Sequence, residues 1–239
     1  MTNVTAIVVP TEQNQSISEL TALIHGLNVQ EKRKASIKID HNKEESHRVV
    51  CGVGVVKEKP KTKLEQISYD TWGSMLKRCY ENKVGARNRT YASCFVAPNL
   101  LDFNVFNTWC LTQVGFNSYD EKGRRFVLDK DILVKGNKIY SEDMCCFVPA
   151  EINTLILKSE AIRGEYPIGV HKRGSRFCGR CKVNNKDRFL GYTDTVEEAF
   201  YKYKKFKEQH IKDVANKWKD QIDPRVYEAL MNYTVEITD

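Results

Sequence analysis

The sequence predicts an α+β chain: a central ββα-type hairpin-helix region with added helices, followed by a three-stranded antiparallel sheet packed on one helix. Three observations lead there. Tyr69, Trp72, Leu76, Cys79 and Tyr80 recur at helical spacing. Short strand-like runs separated by Gly or Asn turns occupy residues 126–148 and 168–192. A Thr-x-x-Glu capping box, Thr195 to Glu198, then opens a long amphipathic pattern.

In chain order, Val4 to Val9 has the character of a short strand, and Ser16 to Leu27 carries a weak helical pattern at Leu20, Leu23, Ile24 and Leu27. Residues 31–48 are charged and polar, as in a linker, so segment 1–48 receives no function. Val49 to Val56 reads as one Gly-punctuated strand, and a helix is expected from about Ser68 to Asn82. A basic loop, Lys83 to Arg89, leads to a second amphipathic helix carrying Leu101, Phe103, Phe106, Trp109 and Cys110. The run from Phe126 starts as a strand, turns at Gly136-Asn137 and resumes at Lys138 to Tyr140, a hairpin signal. Cys145 to Val148 is a further extended piece, and Pro149 opens a helix with Ile152, Leu155 and Ile156. Ile168 to Arg173, Arg176 to Val183 and Asp187 to Tyr192 form three strands, with Asn184-Asn185 as a turn. The final helix buries Ala199, Tyr203 and Phe206 and runs on through Val214 and Trp218 until Pro224 stops it. The implied division is 1–48, a central domain 49–160, a sheet module 161–222 and a tail 223–239.

At 239 residues, 41% hydrophobic, the chain has room for one or two domains with a real core. No apolar run reaches the ~18 residues of a membrane span, and no basic-then-apolar leader opens it, so a cytoplasmic protein, without membrane association, is expected. The eight cysteines read as reduced, mostly buried thiols. Only Cys178 and Cys181 form a C-x-x-C pair, and without a second pair zinc is not expected. Alternation along a strand also sends those two sulfurs to opposite faces.

Net charge is +7, and nearly all of it is local. Between Tyr166 and Tyr192, Lys172, Arg173, Arg176, Arg180, Lys182, Lys186 and Arg188 face Asp187 alone, a net +6. Such concentration points to a polyanion; its ordinary alternative is a solvated basic face. In the middle strand, alternation puts Arg176, Cys178, Arg180 and Lys182 on one side and Phe177, Gly179, Cys181 and Val183 on the helix side. Arg173, Lys186 and Arg188 lie near the open face. Arginines on a strand ribbon can read guanine in the major groove.

The pattern Ile168-Gly169-Val170, a basic turn, Arg176-Phe177-x-x-Arg180-x-Lys182-Val183, then Phe189-Leu190-Gly191-Tyr192-x-x-Thr195-x-Glu197-Glu198-Ala199 and Tyr203 resembles an Apetala2-type DNA-binding domain over about 166–212. The resemblance implies a three-stranded sheet read into double-stranded DNA, with Arg173, Arg176, Arg180, Lys182 and Arg188 as its contacts. Phe177 stands where that family often has tryptophan.

In phage genomes such a domain often follows an HNH nuclease module, and the central block is similar to one. Met144-Cys145-Cys146-Phe147-Val148-Pro149-Ala150-Glu151-Ile152-Asn153 keeps the length and apolar beats of the HNH tail and its final Asn, with Met144 replacing the middle Asn. Where the family has Asp-His, this chain has Leu128-Asp129-Lys130-Asp131, and none of its five histidines lies between residues 48 and 170. The resemblance implies Mg²⁺ held by Asp129, Asp131 and Asn153, with Lys130 or an aspartate standing in as base. Without it, the same residues make an ordinary polar hairpin. The Trp72-x-x-Met75-x-x-Arg78-Cys79-Tyr80 helix and the stretch LDKDILVKGNKIYS also resemble phage proteins called HNH or homing endonucleases. Three functions remain open on sequence grounds: a phage-type homing endonuclease, an inactive HNH-derived DNA-binding regulator or host-takeover factor, and an inhibitor that binds a protein partner.

Overall fold

The first described strands form a hairpin rather than one strand. The computed structural model describes residues 48–81, 91, 93–156, 165–184 and 186–239. The expected elements at 4–9 and 16–27, the basic loop 83–89 and Asn185 lie outside the described residues. Strands β1 (Arg48–Val50) and β2 (Gly54–Val56) pair antiparallel. The chain reverses at Cys51 and Gly52, whose φ values of 53° and 74° are both left-handed. A Cβ on Gly54 would stand 2.3 Å from Leu76 Cδ1, so glycine there permits β2 to lie directly on the following helix.

That helix, α1 (Lys63–Tyr80), begins five residues before the expected Ser68. Its start is set by a capping box in which Thr62 and Glu65 satisfy each other's backbone amides. Its inner face meets α2 (Phe103–Thr112) through Trp72, which stacks obliquely on Phe103 and donates its indole N–H to the Leu100 carbonyl at 2.9 Å. Tyr80 accepts from the Val96 amide at 3.0 Å, fixing β3 (Phe95–Val96) against the end of α1. These aromatic rings are core residues.

The expected hairpin at Gly136-Asn137 does not form a paired ladder. The turn is present, with Gly136 at φ 82°. However, β4 (Val127–Asp129) pairs antiparallel with β6 (Cys146–Val148), while β5 (Ile139–Tyr140) pairs parallel with β3. Side chains cause the divergence. Asp129 Oδ1 accepts from the amides of Asp131 and Ile132 at 2.8 and 2.9 Å, which turns the chain out of β4. Asn137 then closes the loop, donating to the carbonyls of Lys130 and Ile139. Helix α3 (Ala150–Leu155) follows β6 directly and packs against β4, with Pro149 at its N-cap.

Strands β7 (Val170–Arg173), β8 (Arg176–Val183) and β9 (Lys186–Thr193) form the expected three-stranded antiparallel sheet, with β8 central. Helix α4 (Val196–Trp218) starts at Thr195, whose hydroxyl accepts from the Glu198 amide. It serves two cores. Ala199, Phe200 and Tyr203 pack under the sheet, while Ile211, Val214, Ala215 and Trp218 enter the central core with α1, α2 and β6. Phe206, expected in the buried stripe, is only partly buried. The segment read as a tail carries α5 (Pro224–Met231), which buries Val226 and Leu230 in the central core, and Val235 returns to the cluster under the sheet. The protein is therefore mixed α+β, and no helix among the described residues is long and apolar enough to cross a membrane.

Candidate nucleic-acid interface

The solvent side of the sheet follows from its register. Cross-strand partners share a face, so Arg176 lies with Arg173, Cys178 with His171 and Tyr192, and Lys182 with Asp187. The ladder slips between Cys178 and Arg180: Cys178 opposes Tyr192, but Arg180 opposes Phe189. One residue of β8, Gly179, thus faces two of β9, which is a β-bulge on β9 at Leu190-Gly191. Gly191, at φ 101°, supplies the backbone conformation the bulge requires.

The bulge decides which side chains face water. Simple alternation puts Phe189 and Tyr192 on opposite faces, because they are three residues apart. With the bulge both lie on the solvent face, 52% and 47% exposed, edge to face at 5.0 Å. The Arg176 guanidinium lies 4.5 Å from the Tyr192 ring centre. Arg173 and Arg176 stand directly opposite each other, an arrangement that costs stability unless a counter-charge intervenes. Arg180 comes no closer than 3.9 Å to a carboxylate, that of Asp187.

The other two expected DNA contacts are displaced. Arg188 opposes Cys181 and Lys186 opposes Val183, both helix-side positions. The Arg188 guanidinium lies 5.7 Å from the Phe206 ring centre, on the helix side. Their side follows from the pairing of Val183 with Lys186 across the turn, a register that alternation along β8 alone does not carry onto β9. Cys178 and Cys181 do point to opposite faces, each buried and unoxidised. Gly179 faces the helix, where a Cβ would stand 3.1 Å from the Ala199 carbonyl oxygen.

The central candidates form a different kind of site. Lys130 is 5% exposed, and its ammonium donates to Asp131 Oδ2 at 3.1 Å and to the Asn137 carbonyl at 2.9 Å. A general base must be neutral; burial opposes the charge here, but the surrounding anionic groups outweigh it and hold the Lys130 pKa above its ordinary value. Burial, with repulsion from Asp131, pushes the Asp129 carboxyl up to about 6. Asn153 lies on α3, partly buried. Asp129, Asp131 and Asn153 offer the hard oxygens that Mg²⁺ prefers, but two amides occupy Asp129 Oδ1 and an ammonium occupies Asp131 Oδ2. As arranged, one oxygen of each carboxylate is already engaged. Among the described residues no group of three or more His, Cys, Asp and Glu side chains gathers as metal ligands.

A cleft of about 850 Å³ lies elsewhere, between the sheet, α4, α3 and the turn at Asp120. None of Asp129, Lys130, Asp131 and Asn153 lines it, whereas Arg180 and Lys182 do. His171, Lys207 and His210 also line it, and sequence reasoning assigned them nothing. Lys207 and His210 stand at i and i+3 on α4, a spacing that was visible but had no reason to be separated from the solvated positions around it. The chain matches no family model, no curated protein and no solved structure.

Proposed function

We propose that the chain is a sequence-selective double-stranded DNA-binding protein that presents the solvent face of β7–β9 to the major groove. The bulge at Leu190-Gly191 carries this reading, because it brings Tyr192 beside Phe189, so that two exposed aromatic rings share the face holding Arg173, Arg176, Arg180 and Lys182. A basic face kept only for hydration needs no such rings. A DNA-reading face uses both groups: arginine forks for guanine and phosphate, and apolar edges for thymine methyls and sugars. The dimensions agree as well. Three strands about 4.8 Å apart span roughly 10 Å, against a groove about 12 Å wide.

A mobility-shift titration tests this reading. Arg180→Ala is expected to weaken binding to the preferred duplex by about 1–3 kcal/mol and to relax base preference at one position. Equal loss on every duplex would make Arg180 a phosphate contact, and unchanged binding would remove it from the interface.

Metal-dependent nicking is a second reading, supported by the order β4, β6, α3 with Asp129 ending one strand and Asn153 on the helix. The HNH resemblance implies a ββα order of this general kind. The buried Lys130 ammonium, held by Asp131, and the lack of any histidine between residues 48 and 170 speak for binding without cleavage. A supercoiled plasmid carrying the selected site, incubated with Mg²⁺ or Mn²⁺, should stay intact. Nicking lost in both Asp131→Ala and Asn153→Ala would restore the nuclease.

A further inference from the structure

Helix α4 carries, between its two apolar blocks, a stretch of one side that neither core uses. Tyr203, Lys207, His210, Val214 and Lys217 follow one another on successive turns. Tyr203 belongs to the cluster under the sheet and Val214 to the central core, so Lys207 and His210 occupy the seam between them. Core-building alone would put apolar residues at both positions.

The seam opens on the cleft of about 850 Å³. One wall is the part of β8 that runs past the short β7, bringing Arg180, Cys181 and Lys182 to the opening. The opposite wall is α3 and the Asp120 turn. The two walls treat charge differently. Opposite, Glu151 accepts from Lys217 Nζ and Trp218 Nε1, both at 2.8 Å. Asp120 holds the Arg124 guanidinium and the amides of Lys122 and Arg124. These carboxylates are already satisfied.

On the sheet side, Lys207, His210 and His171 have no hydrogen bond or ion pair among the described residues. Burial lowers the Lys207 pKa. Burial and then the Lys207 charge lower that of His210, while burial and then Arg180 lower that of His171. A lysine, an arginine and two imidazoles are thus gathered and partly desolvated, with Asp187 reaching Arg180 only at 3.9 Å, an arrangement that costs stability unless a ligand repays it.

We propose that this cleft binds a phosphoryl anion, held by Lys207 and His210 of α4 and by Arg180 of β8. Ammonium, imidazole and guanidinium donors together suit a tetrahedral oxyanion, whose oxygens accept several charge-assisted hydrogen bonds at once. A cationic ligand would meet Lys207, and an apolar one would leave all three donors unpaired. The anion has two possible sources. Arg180 and Lys182 belong both to the solvent face of the sheet and to the cleft, so a backbone phosphate of bound DNA is within reach of the opening. A free phosphorylated small molecule is the other source.

The full chain is titrated with inorganic pyrophosphate against sodium chloride of matched ionic strength, followed by calorimetry and by the imidazole NMR signals of His171 and His210. Saturable binding that moves the His210 signals is expected, with an affinity loss of about tenfold or more in Lys207→Met. Lys207→Arg should retain binding, which separates a lost ligand contact from a damaged fold. No saturable binding beyond the chloride control, or equal affinity in Lys207→Met and the parent, overturns the proposal. This arm needs no DNA, so it stands or falls separately from the DNA-binding reading. Duplex affinity against salt then names the source. A slope lowered by about one in Lys207→Met assigns the site to a DNA phosphate, and an unchanged slope beside pyrophosphate binding assigns it to a free phosphorylated molecule.

Discussion

The central core and the sheet module use the same residue types for opposite ends. In the central region cations are held by anions: Lys130 on Asp131, Arg124 on Asp120, Lys217 on Glu151 and Arg225 on Asp223. Its large aromatic side chains, Trp72, Tyr80, Phe106 and Phe147, are at most 2% exposed. On the sheet, Arg176 rests on an aromatic ring, Arg173 faces another arginine, and Phe189 and Tyr192 stand in solvent. A charge already paired contributes to structure, whereas an unpaired one beside an exposed ring is available to a partner. The contrast separates the two regions by how closely their cations are paired: the sheet offers Asp187, no nearer than 3.9 Å to Arg180, where the central region holds its cations on direct carboxylate contacts.

The strongest way to break that comparison is through the core. Trp72→Ala removes a fully buried indole and leaves its partner, the Leu100 carbonyl, unsatisfied. A loss of about 3–5 kcal/mol in urea unfolding is expected. DNA affinity measured well below the lowered melting temperature should be unchanged. A change in affinity without unfolding would mean that the central region takes part in recognition.

Gly191→Ala sharpens the comparison from the other side. Its φ of 101° strains any side chain, at a cost of about 1–3 kcal/mol. DNA affinity should fall along with stability, because the bulge sets Phe189 and Tyr192 on one face. If chemical denaturation shows the destabilisation and the duplex titration shows full affinity, the aromatic pair is not part of the interface.

The smallest effect concerns Asp129. Its folded pKa, pushed up to about 6 by burial and by Asp131, exceeds the ~3.9 of an unfolded aspartate. Its contribution to stability is therefore fully present below pH ~4 and is lost as pH rises through about 6. Asp129→Asn, which keeps an oxygen to accept the Asp131 and Ile132 amides, should melt higher than the parent at pH 7 and lose that advantage towards pH 4. An advantage independent of pH would remove the carboxyl's charge from the account.

What was legible in the sequence is what is local. The three strands and α4 are set by alternation, by a turn and by Thr195, so they fall within a residue or two of expectation at most ends. Thr62 and Glu65 form the same kind of signal, but the apolar stripe starts later, at Tyr69, so periodicity alone places the start of α1 five residues too late. Three features depend on distant parts of the chain. The pairing of β3 with β5 joins strands of two residues each, too short to specify a partner alone. The side taken by Tyr192 follows from the slip at Leu190-Gly191, and one residue of slip reverses every face beyond it. The cleft exists because α4 spans two cores, which no local pattern in 196–218 announces. The central residues Asp129, Lys130, Asp131 and Asn153 were singled out by resemblance, and hydrogen bonding then tied the first three into a structural loop.

The most direct measurement is duplex affinity against salt concentration for two variants beside the parent. One replaces Arg176, Arg180 and Lys182 with alanine on the solvent face; the other replaces Lys186 and Arg188 on the helix side. The parent should bind with log K falling linearly in log salt. The solvent-face variant should lose about three units of slope and most of its affinity, while the helix-side variant keeps both nearly intact. Equal losses in the two variants would contradict the assignment of faces, and a parent that binds no duplex at any salt concentration would contradict DNA binding itself.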